Sequence, residues 1–248
     1  MDYFKDIDDI LNSFQKYLSK LPNDGTVVLN KDDQNIQKLE TKQLQKIDYS
    51  LKDSLVAKIK EVLPIPGEHN IANALAAFSA AQQLEIPETD ILKALSKFPG
   101  TWRRFEIVQK KPFVLISDYA HHPTEIKATL KAVAEKYKDQ RIVCIFQPHQ
   151  YKRTQLLFNE LASSFEKADT VLLLEIYDVV GREDKQAKAE VSSAKLAKAI
   201  GSRSTYFKNT EAVKDFLSQN IQENDVVLVM GAGDINNLTE ALTNLSTG

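Results

Sequence analysis

Phe113-Val114-Leu115-Ile116-Ser117-Asp118-Tyr119-Ala120-His121-His122-Pro123-Thr124 is an apolar run that ends in a polar, proline-bearing turn. Glu125 to Tyr137 then follows a 3.6-residue period, and Ile142-Val143-Cys144-Ile145-Phe146 is a second apolar run. The pattern strand, turn, helix, strand repeats outward from there. Further strands are expected at Val171 to Glu175 and Val226 to Met230, with a weaker one at Thr205 to Phe207. Helical periodicity covers Gln155 to Lys167, Ser192 to Ile200, Glu211 to Asn220 and Ile235 to Leu245. Strands apolar on both faces and separated by helices belong to the α/β class, with a mainly parallel sheet flanked by helices.

Toward the amino terminus the pattern changes. Ile7, Ile10, Leu11, Phe14 and Leu18 lie on one face of a helix expected to run to about Ser19, closed by Asn23-Asp24-Gly25. Thr26 to Asn30 reads as a short buried strand, and Leu55 to Leu63 as an extended stretch ended by Pro64-Ile65-Pro66-Gly67. The polar stretch 31–54 carries no assignable element. Alanine-rich residues 70–83 favour helix, and Leu92, Leu95 and Phe98 share a face of a second helix from Glu88 to Phe98. Pro99-Gly100 breaks the chain, so two domains are expected, 1–100 and 101–248.

Composition narrows the function classes. The 248 residues carry 32 Lys plus Arg against 34 Asp plus Glu, a net charge of −2, so the basic excess of a nucleic-acid binder is missing. Charged residues make up 27% and hydrophobic ones 43%, an ordinary globular balance that argues against disorder. No apolar run approaches the roughly 20 residues that span a bilayer, and the start lacks a secretory pattern, so a cytoplasmic protein without membrane partners is expected. The single Cys144 sits inside an apolar run and reads as a buried strand residue. None of the eight glycines precedes a lysine, so the Gly-x-x-x-x-Gly-Lys-Ser/Thr phosphate loop does not occur. Gly231-Ala232-Gly233-Asp234 follows a strand like a dinucleotide fingerprint, but position 236 is Asn236 rather than glycine, which excludes a nicotinamide site.

Ligands of open α/β sheets bind at the carboxyl ends of the strands. There the sequence places Asp118 to Glu125, then Gln147-Pro148-His149-Gln150-Tyr151-Lys152-Arg153-Thr154, then Ile176-Tyr177-Asp178. Thr124 or His122 suits a helix cap and Pro123 a first turn. The adjacent His121 and His122 point apart and have no third ligand at helical spacing, so no metal is assigned to them. His121 and His149 as donors, Arg153 opposite a carboxylate and Asp118 as an acceptor would suit a small zwitterion. Trp102-Arg103-Arg104-Phe105 at the domain break reads either as a solvated face over core rings or as a cation for a phosphoryl group. Asn70 and Asn73, three apart on one helix face, are either start-of-helix residues or readers of a purine edge.

Gly67-Glu68-His69-Asn70-Ile71-Ala72-Asn73-Ala74-Leu75-Ala76-Ala77, Arg103-Arg104-Phe105, Asp118 to Glu125, and Phe146 to Thr154 together resemble the Mur ligase family in order and spacing, over nearly the whole chain. The last segment is most similar to the alanine-adding branch. The resemblance implies a Rossmann-like C-terminal domain over 101–248, preceded by the last part of an ATPase-type central α/β domain over 1–100. It also implies a reaction: ATP, with Mg2+, phosphorylates the carboxylate of UDP-N-acetylmuramate, and the amine of L-alanine attacks the acyl phosphate. By the family pattern Asn70 and Asn73 contact adenine, Arg104 and Arg103 phosphate, and Asp118 the ribose or hinge. Tyr119, His121, His149, Gln150 and Arg153 fall in the alanine pocket, with Arg104, His121 and His149 nearest the chemistry. Gln150 stands where the family usually has arginine.

The resemblance further implies that the nucleotide-sugar domain and the phosphate loop with its magnesium ligands lie in an N-terminal ligase portion. The chain alone is therefore expected not to turn over, and a complementing N-terminal portion is an expected partner, together with apolar surface on residues 1–100. Two alternatives remain at this level. One is a sister ligase that attaches a recycled murein peptide, against which Phe146 to Thr154 speaks. The other is a non-catalytic amino-acid or nucleotide-binding module, which leaves Asn70, Arg104, His121 and Arg153 unexplained unless it binds a ligand.

Overall fold

A computed structural model describes residues 4–41, 43–181, 183–243 and 245. The chain divides into two compact units, Met1–Pro99 and Gly100–Gly248.

In the first unit, α1 (Ile7–Leu18) starts at Asp6, whose side chain accepts from the Asp9 N–H at 2.9 Å. Strands β1 (Thr26–Asn30) and β2 (Gln45–Tyr49) pair in parallel, Thr26 opposite Gln45 and Asn30 opposite Tyr49. A 3-10 turn, Ile36–Lys38, lies between them. Both β2 and this turn occupy the polar stretch to which the sequence assigned nothing, because β2 is largely exposed and lacks a continuous apolar signal. Helices α2 (Leu55–Val62), α3 (Glu68–Gln83) and α4 (Glu88–Ser96) follow, around a core of Ile59, Ile71, Ala74, Leu75, Phe78 and Ile91.

The expected extended stretch Leu55 to Leu63 is instead α2. Its β-branched residues suggest a strand, but Leu55, Val56, Ile59 and Leu63 turn toward one core while Ala57, Lys58, Lys60 and Glu61 are exposed. That spacing is helical, and the tertiary core rather than local propensity decides it.

The second unit is built on a six-stranded sheet. Its strands are β3 (Glu106–Gln109), β4 (Val114–Asp118), β5 (Ile142–Phe146), β6 (Thr170–Leu173), β7 (Ser204–Tyr206) and β8 (Val226–Met230), in the order β3-β4-β8-β5-β6-β7. All pairings are parallel except β3 with β4. The last strand thus sits in the middle. Val226 to Met230 is fully buried, as are β4 and β5, which explains their unbroken apolar runs. The helices are α5 (Pro123–Lys136), α6 (Tyr151–Leu156), α7 (Phe158–Ala162), α8 (Lys185–Glu190), α9 (Ser193–Ile200), α10 (Thr210–Asn220) and α11 (Asn236–Leu242). Two apolar clusters cover the sheet, one around Ile116, Phe146, Leu173 and Leu228, the other around Phe113, Ile145, Leu172 and Val227.

Three differences from the sequence pattern have physical causes. The single helix expected over Gln155 to Lys167 begins earlier, at Tyr151, and breaks at Leu157, whose φ of −109° and ψ of 21° leave the helical region. Edge strand β3 is short and shifts register between Ile107 and Gln109, and α8 is short and polar, capped by Asp184 on the Ala187 N–H at 2.9 Å. Neither carries enough apolar periodicity to be read. Cys144 is fully buried in β5, and burial pushes its thiol far above the usual range, which leaves it inert.

Candidate functional site

Because β8 lies between β4 and β5, three turns meet at the carboxyl ends of these strands in the second unit. The Gly231 N–H donates to the Asp118 carbonyl at 3.2 Å, and the Gln147 N–H to the Met230 carbonyl at 3.1 Å. A fourth segment joins from β6, where the Tyr177 N–H donates to Pro148 O and the Gln150 N–H to Tyr177 O, both at 2.8 Å. The backbone therefore fixes four turns before any side chain is considered.

Those turns bring the sequence-nominated histidines together. The rings of His121 and His149 lie 5.8 Å apart, and Arg153 Nη1 is 3.5 Å from His149 Nδ1. Tyr119 meets His121 edge-on at 5.5 Å, while Tyr177 stacks on His149 at 5.5 Å with planes 15° apart. His121 Nδ1 faces two acceptors, the Tyr119 carbonyl at 3.1 Å and Glu125 Oε2 at 3.5 Å. A ring nitrogen facing only acceptors carries a proton in either charge state, so Nε2 is the acceptor whenever the ring is neutral. His122 is exposed and serves as the cap of α5: its Nδ1 accepts from the Thr124 N–H at 3.3 Å and Glu125 returns the bond to the His122 N–H at 3.1 Å. Burial pushes the Glu125 carboxyl up, but the N–H groups of His121 and His122 and the charges of His121 and Arg104 outweigh this and hold it below the ordinary value.

The two arginines separate. Arg103 is only 6% exposed, and its Nη2 donates to the carbonyls of Gly231 and, at 3.3 Å, Gly233. Arg104 is exposed, with its guanidinium 5.2 Å from the centre of the Tyr119 ring. Asp118 is 5% exposed and its carboxylate accepts from the Phe105 N–H at 2.7 Å, the Ala120 N–H at 2.8 Å and the Thr129 hydroxyl at 3.3 Å. It thus ties the approach to β3 to the turn after β4. Gln150 is buried at φ 67°, heads α6 and accepts from the Thr154 N–H at 3.0 Å. Asn70 and Asn73 belong to α3 of the first unit. Asn70 is buried with Nδ2 donating to Pro66 O at 2.6 Å, and Asn73 is exposed.

Residues that the sequence placed at strand ends without a site role complete the second-unit cluster. Tyr177, Gln147 and the Gly231–Gly233 turn pack together, with Gln147 Nε2 donating to Asp234 Oδ1 at 3.0 Å and Gln147 Oε1 accepting from the Ile235 N–H at 3.2 Å. A side chain at Gly233 would place Cβ 2.6 Å from Gln147 Oε1 and 2.7 Å from Tyr177 Cγ. The glycines rejected as a dinucleotide motif are there for close approach. Among the described residues no group of three or more His, Cys, Asp or Glu is arranged to hold a metal ion, and no helix is long and apolar enough to cross a membrane.

The chain matches known proteins along its length. It is 35% identical over 271 residues to a UDP-N-acetylmuramate–L-alanine ligase of Clostridium botulinum, covering 99% of this chain and 58% of that protein. It is 34% identical over 262 residues to the like-named protein of Sulfurihydrogenibium, covering 97% and 57%. The chain thus spans less than two thirds of the length of these curated relatives. Its fold is similar to that of a UDP-N-acetylmuramate-alanine ligase from Thermotoga maritima, with a TM-score of 0.72 at 23% identity over 96% of this chain and 55% of that one. Residues 1–81 match the family described as Mur ligase middle domain, and residues 103–233 that described as Mur ligase, glutamate ligase domain. With the second match alone spanning more than half of its residues, the chain belongs to the Mur ligase family.

Proposed function

We propose that this chain provides the amino-acid site and part of the nucleotide site of an ATP-dependent ligase of the cytoplasm that joins L-alanine to UDP-N-acetylmuramate in peptidoglycan precursor synthesis. The observation that carries the reading is the convergence of His121, His149, Arg153 and Tyr119 at the carboxyl ends of β4 and β5. A small amino acid has a carboxylate and an amine, and these residues supply one partner for each. Arg153 beside His149 suits the carboxylate, since a guanidinium binds carboxylates through charge-assisted bonds. His121, protonated at Nδ1, offers Nε2 to an ammonium or amine proton, and an attacking amine has to be neutral and oriented.

Arg104 is suited to a phosphoryl group because it is exposed and braced on Tyr119. Asn70 and Asn73 are assigned to adenine, with Asn73 presenting its amide and Asn70 already spending one N–H on Pro66. Asp118, with its carboxylate turned inward, acts on the hinge side of its assignment by holding Phe105 and Ala120. Mg2+ would neutralise phosphate charge, and among the described residues no group of three or more His, Cys, Asp or Glu is arranged to hold it.

The test is product formation followed by mass spectrometry. The purified chain is mixed with Mg-ATP, UDP-N-acetylmuramate and L-alanine, alone and with the unmatched N-terminal portion of a curated relative. UDP-N-acetylmuramoyl-L-alanine formed only in the second mixture supports the reading. Preference for a murein peptide over L-alanine would move it to the sister ligase. Absence of product with a folded, associated N-terminal portion favours a binding module.

A further inference from the structure

We propose that Arg103 is a positioning residue, whose buried guanidinium clamps the Gly231–Gly233 turn on one side and the Tyr119 ring on the other and thereby sets the spacing of His149 and His121. The description of that pair as an amino-acid pocket rests on the function proposed above. The mechanical claim does not.

A phosphate ligand presents its fork outward, and Arg103 does the reverse. It is 6% exposed, its Nη2 is committed to the carbonyls of Gly231 and Gly233, and its buried Nε has no hydrogen-bond partner among the described residues. Burying a guanidinium is costly, so a chain that buries one gains something by its place. The backbone fixes that place. Arg103 sits at φ 54°, its N–H donates to Glu106 Oε2 at 2.9 Å, and its carbonyl accepts from the Tyr119 N–H at 2.7 Å.

Two arms extend from the guanidinium. The first runs through the glycine turn. Gly233 lies so close to Tyr177 and Gln147 that a Cβ there would fall within 2.7 Å of the Tyr177 ring, and a Cβ at Gly231 would lie 2.9 Å from Gln147 O. Tyr177 in turn stacks on His149. The second arm is shorter. The guanidinium carbon lies 4.9 Å from the Tyr119 ring centre, in cation–π contact, and Tyr119 meets His121 edge-on. One side chain therefore contacts, one step removed, the groups that lead to both histidines. Removing its fork releases the glycine-turn carbonyls and leaves Arg104 as the arginine in contact with Tyr119, so the fixed separation of the two imidazoles loosens.

The experiment uses the 248-residue chain, with Arg103→Met and Gly233→Ala beside the wild type. NMR of the imidazole rings reads their surroundings directly, and far-UV circular dichroism reads folding. Arg103→Met is expected to shift the ring signals of both His121 and His149 and to weaken the Tyr177–His149 ring contact while the dichroism is retained. Unchanged ring signals in a folded Arg103→Met chain overturn the proposal. Gly233→Ala keeps the decision open should Arg103→Met not fold: it presses on Tyr177 and Gln147, both on the His149 arm, and not on Tyr119, so it must move the His149 signals and spare His121, and an unmoved His149 overturns the first arm. With the N-terminal portion supplied, Arg103→Met raises the KM for L-alanine about tenfold and that for ATP by less than about twofold. The opposite split returns Arg103 to the phosphate and overturns the proposal. The ring measurements need no ligand, so a wild-type chain that ignores L-alanine refutes the pocket reading and leaves Arg103 to be judged on geometry.

Discussion

Asp118→Ala tests how the second unit holds its site together. The carboxylate is 5% exposed and accepts from two buried backbone N–H groups, those of Phe105 and Ala120, and from the Thr129 hydroxyl. Alanine leaves both N–H groups without an acceptor in a place water does not reach. Each orphaned group costs about 1–3 kcal/mol, and with the lost hydroxyl bond the expected destabilisation is about 3–6 kcal/mol. At about 2–4 °C per kcal/mol for a domain of this size, the melting midpoint falls by about 6–24 °C. Urea unfolding followed by far-UV circular dichroism and by Trp102, the only tryptophan, measures it. Asp118→Asn keeps one oxygen but turns an amide NH2 toward a donor, so it should retain at least about half of the loss. Thr129→Val removes only the longest bond and should cost about 1 kcal/mol or less. An Asp118→Ala loss below about 1 kcal/mol would refute the reasoning, because the two N–H groups would then have found other acceptors.

Three further outcomes follow from the same contacts. The folded Glu125 carboxyl lies below its ordinary value, so its contribution is present above the unfolded pKa and is lost as pH falls through the folded one. The stability difference between wild type and Glu125→Gln should hold near neutral pH and shrink below about pH 4.5, and a pH-independent difference in acid denaturation would sink this. The Tyr206 hydroxyl, donating to Glu175 Oε2 at 2.7 Å, is pushed up to about 12, chiefly by that bond. Its stabilisation is present below the ordinary 10.0 and is lost as pH rises through about 12. The absorbance titration of wild type minus Tyr206→Phe should show this late step, and Glu175→Gln should bring it back toward the ordinary value. In the reconstituted ligase, Arg104→Ala should lower kcat by about a hundredfold with little change in the KM for L-alanine. A rise in that KM alone would place Arg104 in the amino-acid pocket instead.

Much of the second unit was legible from residue patterns because its central strands are buried on both faces. Val226 to Met230 and Ile142 to Phe146 match their expected ranges, since an unbroken apolar run bounded by polar turns has few other fates. The elements that were missed or misread, β2, β3, α2 and α8, are short, exposed or locally ambiguous. In α2 the same apolar residues fit a strand by propensity and a helix by spacing, and only the core formed with Phe78 and Ile91 separates the two.

For the site, position at the strand carboxyl ends brought forward His121, His149, Arg153 and Asp118, because loops there have little reason to gather such side chains for folding, while the role of Tyr119 and the choice of Arg104 over Arg103 came with the family resemblance. Which of two adjacent arginines faces solvent, which of two adjacent histidines caps a helix, and why two glycines follow β8 were decided by the tertiary structure. Arg103 and Arg104 are identical in chemistry and neighbours in sequence; a left-handed backbone at Arg103 and the carbonyls of Gly231 and Gly233, 128 and 130 residues away, turn one inward and leave the other exposed. Local sequence sets what a residue is able to bond, but its partners come from segments that only the packed sheet brings within reach.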